Sequence, residues 1–410
     1  MKTLFLLLLF IAHSVADAPK PLPTTNPWDL KALSRTPTVE WRDTDKPIRS
    51  LFYEGEPFEG KPTKVFAYYA SPATLGNDKE PGKKFPAVVL VHGGGGNAFE
   101  QWVNVYAKRG YAAISMDLAG NWKPEPGKKP ERHADGGPDQ NDNTKFKETP
   151  APHHDQWTYH AVADVLLAHS LLLSLPEVDN GRTGVTGISW GGYLTCIVAG
   201  VDPRFKVAVP QYGCGFLQDN SAWNRNFFDP TKPEWPWRQK WTQLWDPSSY
   251  VGSATMPMLF INGSNDFAYP LDSYMKTYAL LQSPKQIAIK PAMPHGHIFD
   301  VPEVHRFIDS VLKATVLPLR DEPWNKVSRC EVADGKLLVE VRSKMDLELA
   351  ELYFTTAPHA ENQQRAWTKQ RLSVSGKTIT GDAPPGEATA WYVSIMDITG
   401  TRISSEVTIH

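Results

Sequence analysis
Residues 187–193 read Gly-Ile-Ser-Trp-Gly-Gly-Tyr and follow an apolar run at 183–188. Gly187, Ser189 and Gly191 fit the pattern G-x-S-x-G, in which a serine sits on a strained turn between a strand and a helix. Glycine on either side leaves room for the crossing backbones, and the turn lifts the serine oxygen above the sheet. The chemistry this permits is nucleophilic attack on a carbonyl. A serine hydroxyl is a weak nucleophile at neutral pH, so it needs a base within hydrogen-bond reach and a carboxylate behind that base. A tight turn in an inert protein can carry the same letters, so the partners must decide.

The partners stand downstream in the order carboxylate, then histidine. An apolar strand pattern at 258–262 ends in Gly263-Ser264-Asn265-Asp266, and the next, at 286–289, runs out through Pro291-Ala292-Met293-Pro294 to His295. Both residues fall in loops at the carboxyl ends of strands, where open α/β sheets bind ligands. His297 is a second candidate base, although counting from the strand end favours His295. A negative tetrahedral oxygen would need donors, which the N–H of Trp190 and a glycine of His92-Gly93-Gly94-Gly95-Gly96 can supply, Gly94 first and Gly95 next. That glycine run has neither the G-x-G-x-x-G spacing nor the Gly-Lys-Ser of a phosphate cradle. His297 with His153 and His154 has no recognised metal spacing, so neither a metal nor a cofactor is expected.

Taken together, the glycine run, the serine turn, Gly263-Ser264-Asn265-Asp266 and Pro294-His295-Gly296-His297 resemble the α/β-hydrolase superfamily. Within it they resemble the branch of dienelactone hydrolases and prolyl-oligopeptidase-type enzymes, and the segments at 65–72 (VFAYYASP) and 89–120 (VLVHGGGG through MDLAG) look most similar to exported acetylxylan-esterase-like proteins. The resemblance covers about residues 50–315. It implies Ser189 as nucleophile, Asp266 as triad acid, His295 as general base and an acyl-enzyme intermediate. An insertion at about 216–246 holds five of the fourteen tryptophans and stands where this fold grows a cap. Trp223, Trp237 and Trp241 are its candidates for stacking on a sugar or an acyl group; the competing expectation is that they form the cap's own core.

The elements that must position these residues are legible as alternating patterns. Short apolar runs at 85–91, 111–116, 183–188, 207–210, 258–262 and 286–289 read as strands buried on both faces. Helical stretches at 98–109, 157–175, 192–199 and 304–314 lie between or after them, which predicts a doubly wound, mostly parallel sheet. Residues 51–71 predict two antiparallel strands ahead of it, and 17–50 an extended segment lying over the domain. The catalytic domain is expected to end near 318. From 325 to 410 the pattern changes to period two between Gly, Pro, Asn and Asp turns, which predicts a small accessory β-sandwich.

Lys2 followed by an apolar run and small residues predicts an export signal over 1–16, too short to span a bilayer comfortably. The mature chain is therefore expected outside the cytoplasm, periplasmic or extracellular, without a membrane span. A net charge of −2 offers no field for nucleic acid, and three cysteines make no disulfide framework. The sequence favours an exported serine hydrolase of carboxylic esters, acetyl esters of carbohydrates foremost, with a small-molecule or carbohydrate ester as partner. A prolyl-oligopeptidase-type peptidase is the alternative, weakened because too few residues precede Val88 for a propeller. From another class comes an inactive hydrolase fold that binds glycan, with Trp367 or Trp391 of the sandwich as contacts. Nothing in the sequence specifies an oligomeric state.

Overall fold
The computed structural model describes residues 18–410 apart from 79, 125–127, 148, 234, 314–324 and 358–361. The expected export signal and the junction near 318 lie outside the described residues.

Nine strands form one sheet: β1 (Val39–Trp41), β2 (Arg49–Glu54), β3 (Lys64–Ala70), β4 (Phe85–Val91), β5 (Ala112–Met116), β6 (Val178–Ile188), β7 (Val207–Gln211), β8 (Met258–Gly263) and β9 (Lys285–Lys290). Their order across the sheet is β1-β2-β3-β5-β4-β6-β7-β8-β9. The β1–β2, β2–β3 and β3–β5 pairs are antiparallel, and all pairs from β5–β4 to β8–β9 are parallel. Every residue of β4 is buried, and its side chains alternate between two cores. Val89 and Val91 join the core under helices Trp157–Ser174 and Trp190–Val201, whereas Val88 and Leu90 join that of Glu100–Lys108 and Pro302–Leu312. After β4 the chain moves outward to β5 and then returns past β4 to β6. This reversal opens a crevice at the carboxyl ends of β4 and β6, the place where such sheets take ligands.

The structure departs from the sequence reading in three places. The strand expected at 183–188 already begins at Val178, and residues 179–181 bulge out of it: Phe85 pairs with Val178 and Ala87 with Thr183. The 17–50 segment is not wholly extended, because Asp29 caps a short helix, Leu30–Leu33, and Val39–Trp41 pairs as an edge strand. It does lie over the domain, Trp28 donating to the Tyr159 carbonyl at 3.0 Å and Leu33 accepting from the Ser170 hydroxyl at 2.8 Å. The third departure concerns the tryptophans and is described with the site. Cys196, Cys214 and Cys330 are all free thiols.

The insertion between β7 and β8 carries helices Asn224–Phe227 and Trp235–Trp245. One side chain ties both of its ends. The buried Asp246 carboxylate accepts from the N–H groups of Phe216 (2.8 Å), Leu217 (3.1 Å) and Ser248 (2.9 Å). Burial pushes this carboxyl up from the usual range, and the three donors offset the cost of keeping its charge.

The C-terminal unit is two antiparallel sheets. One holds Lys326–Ala333, Lys336–Arg342, Ser373–Ser375 and Thr378–Asp382; the other holds Leu347–Thr355, Thr368–Arg371, Ala390–Asp397, Arg402–Ser404 and Thr408–Ile409. The first hairpin turns at Asp334-Gly335, both at positive φ (49° and 71°), the geometry that an Asp-Gly pair supplies in a two-residue turn. Leu337, Val339, Leu352, Val393 and Ile395 fill the space between the sheets. The unit docks along β9, where the Ile289 N–H donates to the Ser404 hydroxyl at 3.0 Å and the Arg402 N–H to Glu303 at 3.2 Å.

Replacing Asp246 by Ala leaves one buried and two half-buried backbone donors without their acceptor, the buried one costing about 1–3 kcal/mol and the others less. The variant is expected to unfold at least 5 °C below the wild type in a thermal melt, with Asp246→Asn falling between them.

Candidate active site
The serine turn is built by close backbone packing. Ser189 lies at φ 58°, ψ −118°, between β6 and the helix Trp190–Val201, and its N–H donates to the Gln211 carbonyl at 2.9 Å. A Cβ at Gly187 would strike the Gly191 carbonyl, and one at Gly191 would strike that of Val91. The chain can pass here only without side chains, so the hydroxyl stands clear at the end of the sheet.

The loop after β8 brings Asp266 and the loop after β9 brings His295. The buried Asp266 uses Oδ1 to accept from the N–H groups of Ala268 (2.9 Å) and Tyr269 (2.8 Å), and Oδ2 to meet His295 Nδ1 at 2.6 Å. A carboxylate only accepts, so Nδ1 carries the proton and Nε2 is left to accept from the Ser189 hydroxyl, 2.8 Å away. His297 is placed otherwise. Its Nε2 accepts from the Gly93 N–H at 3.2 Å, and its ring packs on Phe99 with centroids 4.8 Å apart. Of the two histidines the structure brings only His295 to Ser189.

The glycine loop is braced by two neutral imidazoles. His92 Nε2 accepts from the Leu118 N–H at 2.9 Å, so its Nδ1–H donates to the Gly93 carbonyl at 2.7 Å. Burial lowers the His92 pKa to about 4, and burial together with nearby His295 lowers that of His297. The loop passes directly over Trp190: a Cβ on Gly94 would come within 2.8 Å of the indole. Among the described residues the N–H groups of Gly94 and Trp190 make no hydrogen bond.

The three tryptophans separate. Trp223 is half-buried, 4.6 Å from the Trp190 ring and 5.5 Å from Tyr269, and so borders the site. Trp237 is 45% exposed on the helix Trp235–Trp245. The expectation of a substrate contact is corrected for Trp241: it is fully buried, its Nε1 donates to the Lys145 carbonyl at 2.6 Å, and it packs on Phe146 and Phe228 as the insertion's core. Trp391 likewise lies in the sandwich core, and Trp367 packs edge-on against Tyr392. Sequence reasoning missed the aromatic wall around the imidazole, namely Phe267 (4.7 Å), Tyr212 (4.8 Å) and Tyr269 (6.3 Å). Phe267 directly follows Asp266 and Tyr269 stands three positions after it, and that closeness was the available signal. Also missed was Lys145, whose ammonium sits 4.4 Å over the Trp190 ring and pairs with Asp142 at 3.0 Å. Among the described residues no three His, Cys, Asp or Glu side chains converge as a metal site.

Comparison with known proteins fits this geometry. The model of the acetyl xylan esterase family (AXE1) matches residues 42–224, and that of the prolyl oligopeptidase family matches 145–310. Acetyl esterase Axe7A of Xylanibacter ruminicola is 24% identical over 250 residues, 56% of this chain and 52% of its own length. Dipeptidyl-peptidase 5 of Porphyromonas gingivalis is 25% identical over 236 residues, 53% of this chain and 31% of its own. The chain thus spans about half or less of the curated relatives it matches. An acetyl xylan esterase from Paenibacillus sp. R4 superposes with TM-score 0.53 at 21% identity, covering 69% of this chain and 92% of that one. Acetyl xylan esterase 1 from Thermoanaerobacterium sp. JW/SL YS485 gives 0.52 at 18% identity, covering 71% and 95%.

Two predictions follow from the two histidine environments. His295→Ala should lower turnover of an activated ester by about 10³-fold or more, and His297→Ala, which removes only a brace of the glycine loop, by about tenfold, read from initial rates. For stability the sign is set by a folded pKa below the unfolded one. The contribution of neutral His92 is complete above about pH 6.5 and is lost as pH falls through about 4, a loss on the order of 3 kcal/mol. Urea unfolding at pH 7.5 and 4.5 should show that loss, and His92→Asn should be weaker at pH 7.5 yet lose less on acidification.

Proposed function
We propose that this chain, whose fold and family matches are those of acetyl xylan esterase-like α/β-hydrolases, is a serine hydrolase removing acyl groups, acetyl foremost, from carbohydrates. The observation that carries the reading is the unbroken hydrogen-bonded line from Asp266 through His295 to Ser189.

In this reading Ser189 Oγ attacks the ester carbonyl while His295 Nε2 takes its proton. Asp266 holds the imidazole in the required tautomer and stabilises the cation that forms. The carbonyl oxygen, now negative, is met by the N–H groups of Trp190 and Gly94 at the amino end of a helix, whose dipole favours the charge. Collapse expels the alcohol oxygen, which takes the proton from His295, and leaves the acyl group on Ser189. Water then attacks the acyl-enzyme, His295 accepts its proton, and the acid leaves as Ser189 is restored. No cofactor is needed. The apolar, lysine-led start of the chain supports export, which would bring the enzyme to polysaccharide esters.

Peptide cleavage is the second reading, favoured by the match of residues 145–310 to the prolyl oligopeptidase family. The same three residues would serve it, so only substrates separate the two. Purified protein is assayed on p-nitrophenyl acetate, p-nitrophenyl butyrate, acetylated xylan and a prolyl p-nitroanilide, beside Ser189→Ala. The expected result is acetate release from the polymer that falls about 10⁴-fold or more in the variant while its melting temperature stays within about 2 °C. Turnover of the anilide alone would replace the esterase by the peptidase, and an inactive wild type would overturn both in favour of a binding protein.

A further inference from the structure
A surface groove of about 290 Å³, walled by three separate parts of the chain, is joined to the His295 ring through Phe267. The insertion supplies Asn220, Ala222 and Asn224, the acid loop supplies Phe267, and the C-terminal unit supplies Asn362 and Gln363. Among the described residues no Asp, Glu, Lys or Arg lines it. Phe267 is 54% exposed although its ring lies 4.7 Å from that of His295, so an apolar face stands open between the groove and the reacting centre.

The groove's polar walls are held in place. Asn220 Nδ2 is fixed by the Asp272 carboxylate at 2.9 and 3.1 Å. The buried Asn362 donates from Nδ2 to the Asp266 carbonyl at 2.8 Å and accepts at Oδ1 from Arg365 at 3.1 Å. Asn265, next to the triad acid, donates to the Arg365 carbonyl at 2.8 Å. The sandwich loop at 362–365 is thereby tied to the loop that presents Asp266, and Gln363 stands exposed on it.

Uncharged amides both donate and accept, as sugar hydroxyls do, and an exposed aromatic ring suits the C–H face of a pyranose. We propose that the groove is a glycan subsite that holds the sugar unit next to the acylated one, with the C-terminal sandwich contributing Gln363 to it. This deepens the carbohydrate-esterase reading and rests on it. The sandwich is then a wall of the active-site groove instead of a separate binding module.

The test compares kcat/KM on acetylated xylo-oligosaccharides with kcat/KM on p-nitrophenyl acetate, for the wild type, Gln363→Ala and Ala222→Trp. Ala222→Trp fills the groove, and Gln363→Ala removes an exposed amide; melting curves accompany both. The expected result is an oligosaccharide-to-nitrophenyl ratio about tenfold lower in Ala222→Trp and about threefold lower in Gln363→Ala, through a higher KM for the oligosaccharide. Ratios equal to the wild type in both variants would overturn the subsite while leaving the esterase reading intact. A wild type that hydrolyses p-nitrophenyl acetate but releases nothing from the oligosaccharides would overturn both. Should Ala222→Trp fail to fold, Gln363→Ala decides.

Discussion

Everything at this site depends on a backbone held where side-chain-bearing residues rarely go. Ser189 at φ 58° carries a strain of about 1–3 kcal/mol, which persists only because the surroundings over-determine it. The bond from its N–H to Gln211 fixes it to β7, and the bare crossings at Gly187 and Gly191 press the turn against the end of β4. In return the hydroxyl stands at the topological switch of the sheet. There the glycine loop after β4 and the start of the helix Trp190–Val201 come together, Gly94 lying against the Trp190 ring.

The partners of that serine are steadied by elements far apart in the chain. Asp266 spends one carboxylate oxygen on two N–H groups of its own loop, so the other is aimed at His295. The same loop is gripped from outside by Asn362. The glycine loop depends in turn on two imidazoles that work as hydrogen-bonding braces, His92 in the interior and His297 at its rim. Burial keeps both neutral, which lets His297 accept an amide proton and lets His92 donate and accept at once. Two histidines two residues apart thus occupy different roles because one faces Ser189 and a carboxylate and the other faces a backbone amide and phenylalanine rings.

Much of the architecture was legible from local pattern. β4, β5, β7, β8 and β9 announce themselves as short apolar runs because a strand covered by helices on both faces has no polar side to show. Lys336–Arg342 alternates for the opposite reason, one face being wet, whereas Ala390–Asp397 is buried on both faces, Tyr392 joining the core of the larger unit. Segments governed by distant contacts were less legible: the bulge at 179–181 has turn residues yet stays within a strand, and Val39–Trp41 becomes a strand only because β2 offers an edge. The tryptophans of the insertion could not be sorted by type. Trp241 is core and Trp223 borders the site because of how a short helix packs on Phe146 and Trp190, and spacing alone does not encode that.

The serine turn, the order of carboxylate and histidine, the glycine loop and the two-part fold were all legible in the linear chain. Each of these follows from local rules: where glycine is obligatory, where a strand ends, which period a face requires. Tertiary structure alone decided which histidine meets Ser189, which aromatic rings wall it, and that the C-terminal sandwich reaches the acid loop through Asn362. Those are contacts between residues up to 106 positions apart, set by side-chain direction over a few ångströms. A linear pattern carries the type and order of groups; only packing fixes their direction.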